Sequence, residues 1–193
     1  MELVLIRHAH PLSEERSDGT PADPPLSATG LEQSRATADW LARNPPDRLV
    51  SSPALRARQT AEATAARLDL RVEVDERLCD ANSLLPRYVT LEEEQARDPI
   101  AYRARLEAYR EGEILALASV RVNAALDEWT DSNPGRRVAV FCHGSVVNVY
   151  AARVLGLAEP VFLAAGYASG HRFLISRKAI RSVQSLNETA YLP

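Results

Sequence analysis

The chain has 193 residues, 46% of them hydrophobic and 25% charged, with a formal net charge of −3; this is the make-up of one globular domain with a sizeable core. The acidic balance argues against a general nucleic-acid binder. No apolar run reaches the ~20 residues that span a bilayer, and Glu2 followed by four apolar residues and Arg7 is not a secretory leader. Cys79 and Cys142 stand far apart and form neither a disulfide framework nor a zinc motif, so a cytoplasmic protein with reduced thiols is expected.

Residues 3–11, LVLIRHAHP, begin with strand formers and end on Arg7, His8 and His10. SDGTPADPP (17–25) is a turn-rich loop. In LSATGLEQSRATADWLARNPP, Thr29 and Glu32 suggest a capping box, and Leu31, Ala38, Leu41 and Ala42 recur at helical spacing until Pro45-Pro46 stops the helix. DRLVSSPALRARQTAEATAARL reads as strand, turn and helix, with Ser52 as N-cap and Pro53 at the first helical position. RVEVDERL reads as another strand. Residues 80–135 are charged and mostly helical by composition, closing on Pro134-Gly135. RRVAVFCHGSVVNVYAARVLGL repeats the strand, small-residue turn and helix, placing Ser145 at a helix N-terminus. HRFLISRKAIRSVQSLNE reads as two late strands with a turn near Lys178.

Strands alternating with helices imply βαβ units and a mainly parallel sheet. LVLIRHAH, RLVSSPALR and VAVFCHGS each put polar or cationic residues just beyond the carboxyl end of a strand, the edge where open α/β sheets bind ligands. His8, Arg56 and His143 thus have a reason to converge. Taken singly, each has a plainer reading: Arg7 and His8 as a wetted strand end, Arg56 as part of a solvated helix face, His143 as a hydrogen-bonded core histidine, Asp80 as a turn residue.

Converged, two arginines and two histidines make an electropositive site suited to phosphate, since guanidinium forks match phosphate oxygens and keep their charge. Arg56, in the first turn of its helix, adds free N–H groups and the helix dipole. A neutral imidazole there can attack phosphorus and carry the phosphoryl group. A carboxylic acid nearby can protonate the leaving alkoxide. The side chains supply the positive charge, so no metal or other cofactor is called for.

Three other chemistries can be tested on the sequence. A cysteine phosphatase needs Arg six positions after the cysteine, where Asn148 and Leu85 stand instead. A serine-hydrolase elbow needs Gly-x-Ser-x-Gly, and CHGSVVN lacks it. His8-x-His10 could open a zinc site on a (β/α)₈ barrel, but that fold takes roughly 250 residues, and no supporting cluster of His and Asp follows.

LIRHA, LSATGLEQSRATADWL, VSSPALRARQTAE and VFCHGSVV, in this order and at these spacings, resemble the histidine phosphatase superfamily, and SLNETAYL resembles its closing strand and tail. The resemblance covers about residues 1–80 and 136–193. It implies a three-layer α/β/α sandwich of the phosphoglycerate mutase-like type, a single domain over 1–193, with residues of about 80–135 inserted as a helical cap. It further implies that His8 is the nucleophile that becomes phosphohistidine. Arg7, Arg56 and His143 would bind the phosphoryl group, with Gly144 beside them. Departures from the family pattern are Ala9 for a glycine, Pro11 for a hydroxyl residue and Glu14 for an asparagine that helps bind phosphate; Ser13 could compensate. Asp80, in LCDANSLL, takes the place of a glutamate general acid, with Glu76 as substitute.

The expected reaction is hydrolysis of a small phosphomonoester. Phosphoglycerate mutase-type transfer, a protein phosphohistidine phosphatase, and a phosphate-ligand binding protein without turnover stand as alternatives. Neither nucleic acid nor membrane is expected as a partner, and oligomeric state is open, a dimer among the options. Tyr88, Arg87, Arg103 and Arg105 are candidates to reach the substrate from the cap.

Overall fold

The computed structural model describes the chain except residues 82, 101, 105–106, 108–112 and 179. Six strands form one sheet: β1 (Glu2–Arg7), β3 (Arg48–Ser51), β4 (Val72–Val74), β6 (Arg137–Cys142), β7 (Gly170–Ile175) and β8 (Arg181–Glu188), in the order β4-β3-β6-β1-β7-β8. The first four are parallel; β7 and β8 add antiparallel partners on the other side of β1. Helices cover both faces, α1 (Ala28–Ala42) and α2 (Leu55–Leu68) one, α4 (Glu113–Asp131) and α5 (Gly144–Leu155) the other, while the short α3 (Leu91–Arg97) precedes α4 in the chain. Among the described residues, no helix is long and apolar enough to cross a membrane.

The run in β1 is buried on both sides because successive side chains alternate across the pleat. Val4 and Ile6 join Leu41, Leu49, Ala61 and Phe141 beneath α1 and α2. Leu3 and Leu5 join Val122, Leu126, Val146 and Tyr150 beneath α4 and α5. The sandwich expected from the sequence is thus present, with one correction. The second half of the 80–135 segment is no cap: Leu115, Val122, Ala125 and Leu126 of α4 are core residues, so α4 is one of the layers. Its apolar stripe at helical spacing already marks it as core material.

Local corrections concern helix starts. Ser27, not Thr29, caps α1, its hydroxyl accepting from Gly30 N at 3.1 Å, and Leu31 is exposed. α2 begins at Leu55 after Ala54, leaving Ser52 outside the helix. RVEVDERL is a three-residue strand followed by a 3-10 turn over Glu76–Leu78. Above the carboxyl end of the sheet lies a small ribbon, β2 (Glu14–Glu15) paired antiparallel with β5 (Arg87–Tyr88). Backbone bonds from Arg16 N to Pro86 O and Ala22 N to Leu85 O, both 2.9 Å, extend it.

Candidate active site

Strand register brings the site together. Arg7 lies opposite Cys142, and Ser51 opposite Phe141, so the residues that follow each strand emerge level with one another. His8 N donates to Cys142 O at 2.8 Å, and Ser52 N to Phe141 O at 2.9 Å. His8, Ser52 and His143 therefore stand side by side at the carboxyl edge, and all three are buried.

The hydrogen bonds fix the His8 tautomer. Nδ1 lies 2.9 Å from Ala9 O, an acceptor only, so Nδ1 carries the proton. Nε2 is left with its lone pair and accepts from Arg56 Nε at 3.3 Å. His143 has the complementary arrangement: Nδ1 accepts from an Arg56 terminal nitrogen at 3.4 Å, and Nε2 donates to Ser52 Oγ at 2.8 Å. The imidazoles meet edge to face, 5.2 Å between centroids. Burial, reinforced by Arg56, His143 and Arg7, pushes His8 well below the ordinary histidine value. Burial likewise lowers His143, with Asp80 opposing and the arginines adding to the shift. Both rings are neutral at rest.

Asp80 closes the far side. Its Oδ2 lies 3.7 Å from Arg56 and 3.9 Å from His143 Nδ1. Its Oδ1 accepts from Ser145 Oγ at 2.6 Å and from Ala81 N at 2.8 Å. Burial raises the carboxyl, but His143, Arg56, Ser145 and the Ala81 N–H together hold it below its usual range. Asp23 approaches Arg56 from the other side at 3.6 Å.

Arg7 is pinned from outside the His8 loop. One terminal nitrogen donates to Ala165 O at 2.5 Å, and the guanidinium stacks on the Tyr167 ring at 3.7 Å. Its Nε is buried and has no hydrogen-bond partner among the described residues. Segment 162–169 is itself held tightly: Asn148 donates to Leu163 O and accepts from Phe162 N and Leu163 N. Ser169 bonds His171, Gly166 N donates to Asn187 Oδ1, and the Tyr191 hydroxyl donates to Ala168 O. Tyr88, delivered by the ribbon, lies under the Arg56 guanidinium at 4.5 Å. Both candidate phosphate-binding arginines thus rest on a tyrosine face.

Of the residues picked from the sequence, His8, Arg7, Arg56, His143 and Asp80 form this one cluster, and Gly144 opens α5 with its Cα hydrogen facing Arg7, where a Cβ would lie 3.8 Å from Nε. Other picks fall elsewhere. Ser13 is exposed and donates to Glu93 Oε2 at 2.5 Å, which ties the loop after β1 to α3 instead of facing the site. Glu76 is exposed in the 3-10 turn, whose geometry turns Leu78 inward and Glu76 out. Glu14 is turned away from the site, its carboxylate taken by Arg16 and Asp23 N. Arg87 and Arg103 are exposed, and Arg105 lies outside the described residues. His10 points away from His8 to Ser27 Oγ at 2.9 Å. Among the described residues, no group of three or more His, Cys, Asp and Glu is placed to hold a metal ion. Cys142 is buried at a strand end, which pushes its thiol up to about 12.

Sequence reasoning did not find Tyr167, Ser52, Thr60 or Ser145. Thr60 accepts from Ala9 N at 3.0 Å and donates to Arg56 O at 2.7 Å, bridging the His8 loop and the arginine. Its place four residues after Arg56, on the same helix face, was the one available signal.

Residues 3–184 match the model of the histidine phosphatase superfamily, branch 1. The chain belongs to this superfamily. A relative is the probable phosphoglycerate mutase GpmB of Escherichia coli, 30% identical over 164 residues that cover 81% of this chain and 76% of that one. Among solved structures, the mycobacterial glucosyl-3-phosphoglycerate phosphatase with inorganic phosphate aligns over 100% of this chain and 99% of its own, with TM-score 0.76 and 25% identity. Phosphoserine phosphatase from Entamoeba histolytica, in complex with phosphoserine, has the same fold, with TM-score 0.76 and 21% identity over 100% of this chain and 99% of its own. This histidine phosphatase superfamily member therefore has phosphatases among its structural neighbours and a mutase-like relative in sequence.

Proposed function

We propose that the protein is a metal-independent phosphatase that hydrolyses a small phosphomonoester through a phosphohistidine at His8. The observation that carries this reading is the state of His8: neutral, with Nδ1 protonated and the Nε2 lone pair facing Arg56. In the reaction, Nε2 attacks phosphorus while the bond to the leaving oxygen breaks. That oxygen takes a proton from Asp80 once the carboxyl has been protonated. Water then attacks phosphorus, returns a proton to Asp80 and breaks the Nε2–P bond, releasing inorganic phosphate. Arg7 and Arg56 bind the phosphoryl oxygens, and the unpartnered Arg7 Nε supplies a donor already desolvated for that purpose. A phosphate dianion beside His143 offsets the arginines and favours its imidazolium, which adds another donor.

The test is hydrolysis of p-nitrophenyl phosphate in EDTA by wild type and His8→Ala. Expected are turnover that EDTA does not remove, a ~10⁴-fold or greater loss in the variant, and an acid-labile phosphoryl-enzyme in wild type alone. EDTA-sensitive activity, or turnover that survives His8→Ala, sinks the mechanism. Vanadate binding without any turnover favours a phosphate-ligand binding protein instead.

The Escherichia coli relative supports a second reading, phosphoryl transfer of the phosphoglycerate mutase type. Phosphorus NMR of phosphoglycerate incubated with the protein and a bisphosphoglycerate primer decides between them: isomerisation faster than phosphate release favours the mutase.

A further inference from the structure

We infer that Ser145 is a positioning residue for the proton-transfer step, assigning the two oxygens of Asp80 different tasks: Oδ1 is the anchor and Oδ2 carries the proton. The inference rests on the hydrolase reading above.

The two oxygens have unlike surroundings. Oδ1 takes both of its hydrogen bonds from fixed donors, Ser145 Oγ–H at 2.6 Å and Ala81 N–H at 2.8 Å. Oδ2 faces the cluster that would hold the phosphoryl group, 3.7 Å from Arg56 and 3.9 Å from His143 Nδ1, too far for a direct hydrogen bond to either. A proton on Oδ1 would face the Ala81 N–H, which can only donate, and would force the Ser145 hydroxyl to turn from donor to acceptor. It therefore resides on Oδ2, on the side of the reacting atoms.

Backbone and side chain of Asp80 are held by different elements. Arg121 of α4 donates to Arg77 O at 2.5 Å and to Cys79 O at 3.1 Å, which fixes the turn. Ser145, buried in the first turn of α5 two residues after His143, fixes the side-chain rotation. The hydroxyl thus sets the direction of Oδ2 from the same turn that sets His143. Among the described residues, the ionisable groups around the carboxyl and its partner His143 are Arg56 from α2, Arg121 from α4, Arg7 from β1, Tyr88 from the ribbon and Cys142 from β6. Removing the Ser145 hydroxyl leaves all of them in place.

The test compares wild type, Ser145→Ala, Ser145→Thr and Asp80→Asn on an alkyl phosphate, glycerol 2-phosphate, and on p-nitrophenyl phosphate, whose leaving group departs without a proton. In Ser145→Ala we expect a ~10-fold or larger loss of kcat/KM on the alkyl ester and about 3-fold or less on the aryl ester, because kcat/KM reports transfer to His8 and not the later hydrolysis common to both. The basic limb of the alkyl profile moves to higher pH, since the ionised carboxylate has lost a donor. Ser145→Thr restores both readouts. Equal losses on the two esters with an unshifted profile overturn the inference and leave His8 chemistry standing. Asp80→Asn that matches wild type on the alkyl ester also overturns it, because Ser145 then has nothing to position. Turnover that survives His8→Ala marks failure of the hydrolase reading itself.

Discussion

Arg56 Nε donates to His8 Nε2 across 3.3 Å, joining the end of β1 to the first turn of α2. A guanidinium aimed at the lone pair of an imidazole keeps that ring neutral and, on the proposed mechanism, stands where it can bind phosphoryl oxygens. Thr60 makes the pair rigid, since one hydroxyl touches the loop of the first residue and the carbonyl of the second.

Thr60→Val keeps shape but leaves the buried Ala9 N–H without an acceptor. We expect a stability loss of about 1–3 kcal/mol and a lower kcat. Urea unfolding and p-nitrophenyl phosphate kinetics check the two effects together. Unchanged stability would mean that water or a shifted loop satisfies Ala9 N.

Tyr167 supports Arg7 through its ring, while its hydroxyl is buried without a hydrogen-bond partner among the described residues. Tyr167→Phe is accordingly expected to retain activity. Tyr167→Leu loses a stacking interaction of about 1–2 kcal/mol, read as a ~10-fold rise in KM or in the inhibition constant of inorganic phosphate. Equal behaviour of the two variants would instead place the hydroxyl on the substrate.

A methyl group at Gly30 would lie 2.0 Å from the carbonyl oxygen of His10, which is backbone and cannot swing aside. Gly30→Ala therefore forces α1 away from the loop that carries His8 and His10. The expected destabilisation is about 3 kcal/mol, with turnover falling in parallel. A thermal melt that matches wild type would show that the two segments separate freely.

His171 is buried between Ser169 Oγ and Asn187 N, and burial, aided by Arg7, pushes it down to about 4. In the unfolded chain it titrates near 6.5. Between those values the unfolded state holds a proton that the native state does not, so stability falls as pH drops through this window. The shift is worth on the order of 3 kcal/mol and has no effect above the upper value. His8 and His143, also lowered, add to the same acid-side loss. Urea midpoints measured across the window are expected to slope less in His171→Gln than in wild type; identical slopes would remove His171 from the account.

The alternation of strands and helices was legible because apolar runs in parallel strands and striped helices leave a direct mark on the chain, and Arg7, His8, Arg56 and His143 stood out as charges where a packed strand had just ended. The same local signal misled at helix starts. Ser52 has the chemistry of a cap, yet its hydroxyl is bonded to His143, ninety-one positions away. α4 reads as charged and cap-like until its stripe of Leu115, Val122 and Leu126 meets the sheet.

Sequence by itself determined which groups can do chemistry and that they sit at strand ends, since side-chain identity and periodicity are local properties. Only the tertiary structure decided which nitrogen of His8 is free, which tyrosine lies under which arginine, and which oxygen of Asp80 faces the site. Those depend on partners brought together by strand register and helix packing from segments 48, 65, 87 and 158 positions apart. Hydrogen bonds and stacking act over a few ångströms, a distance on which separation along the chain carries no information.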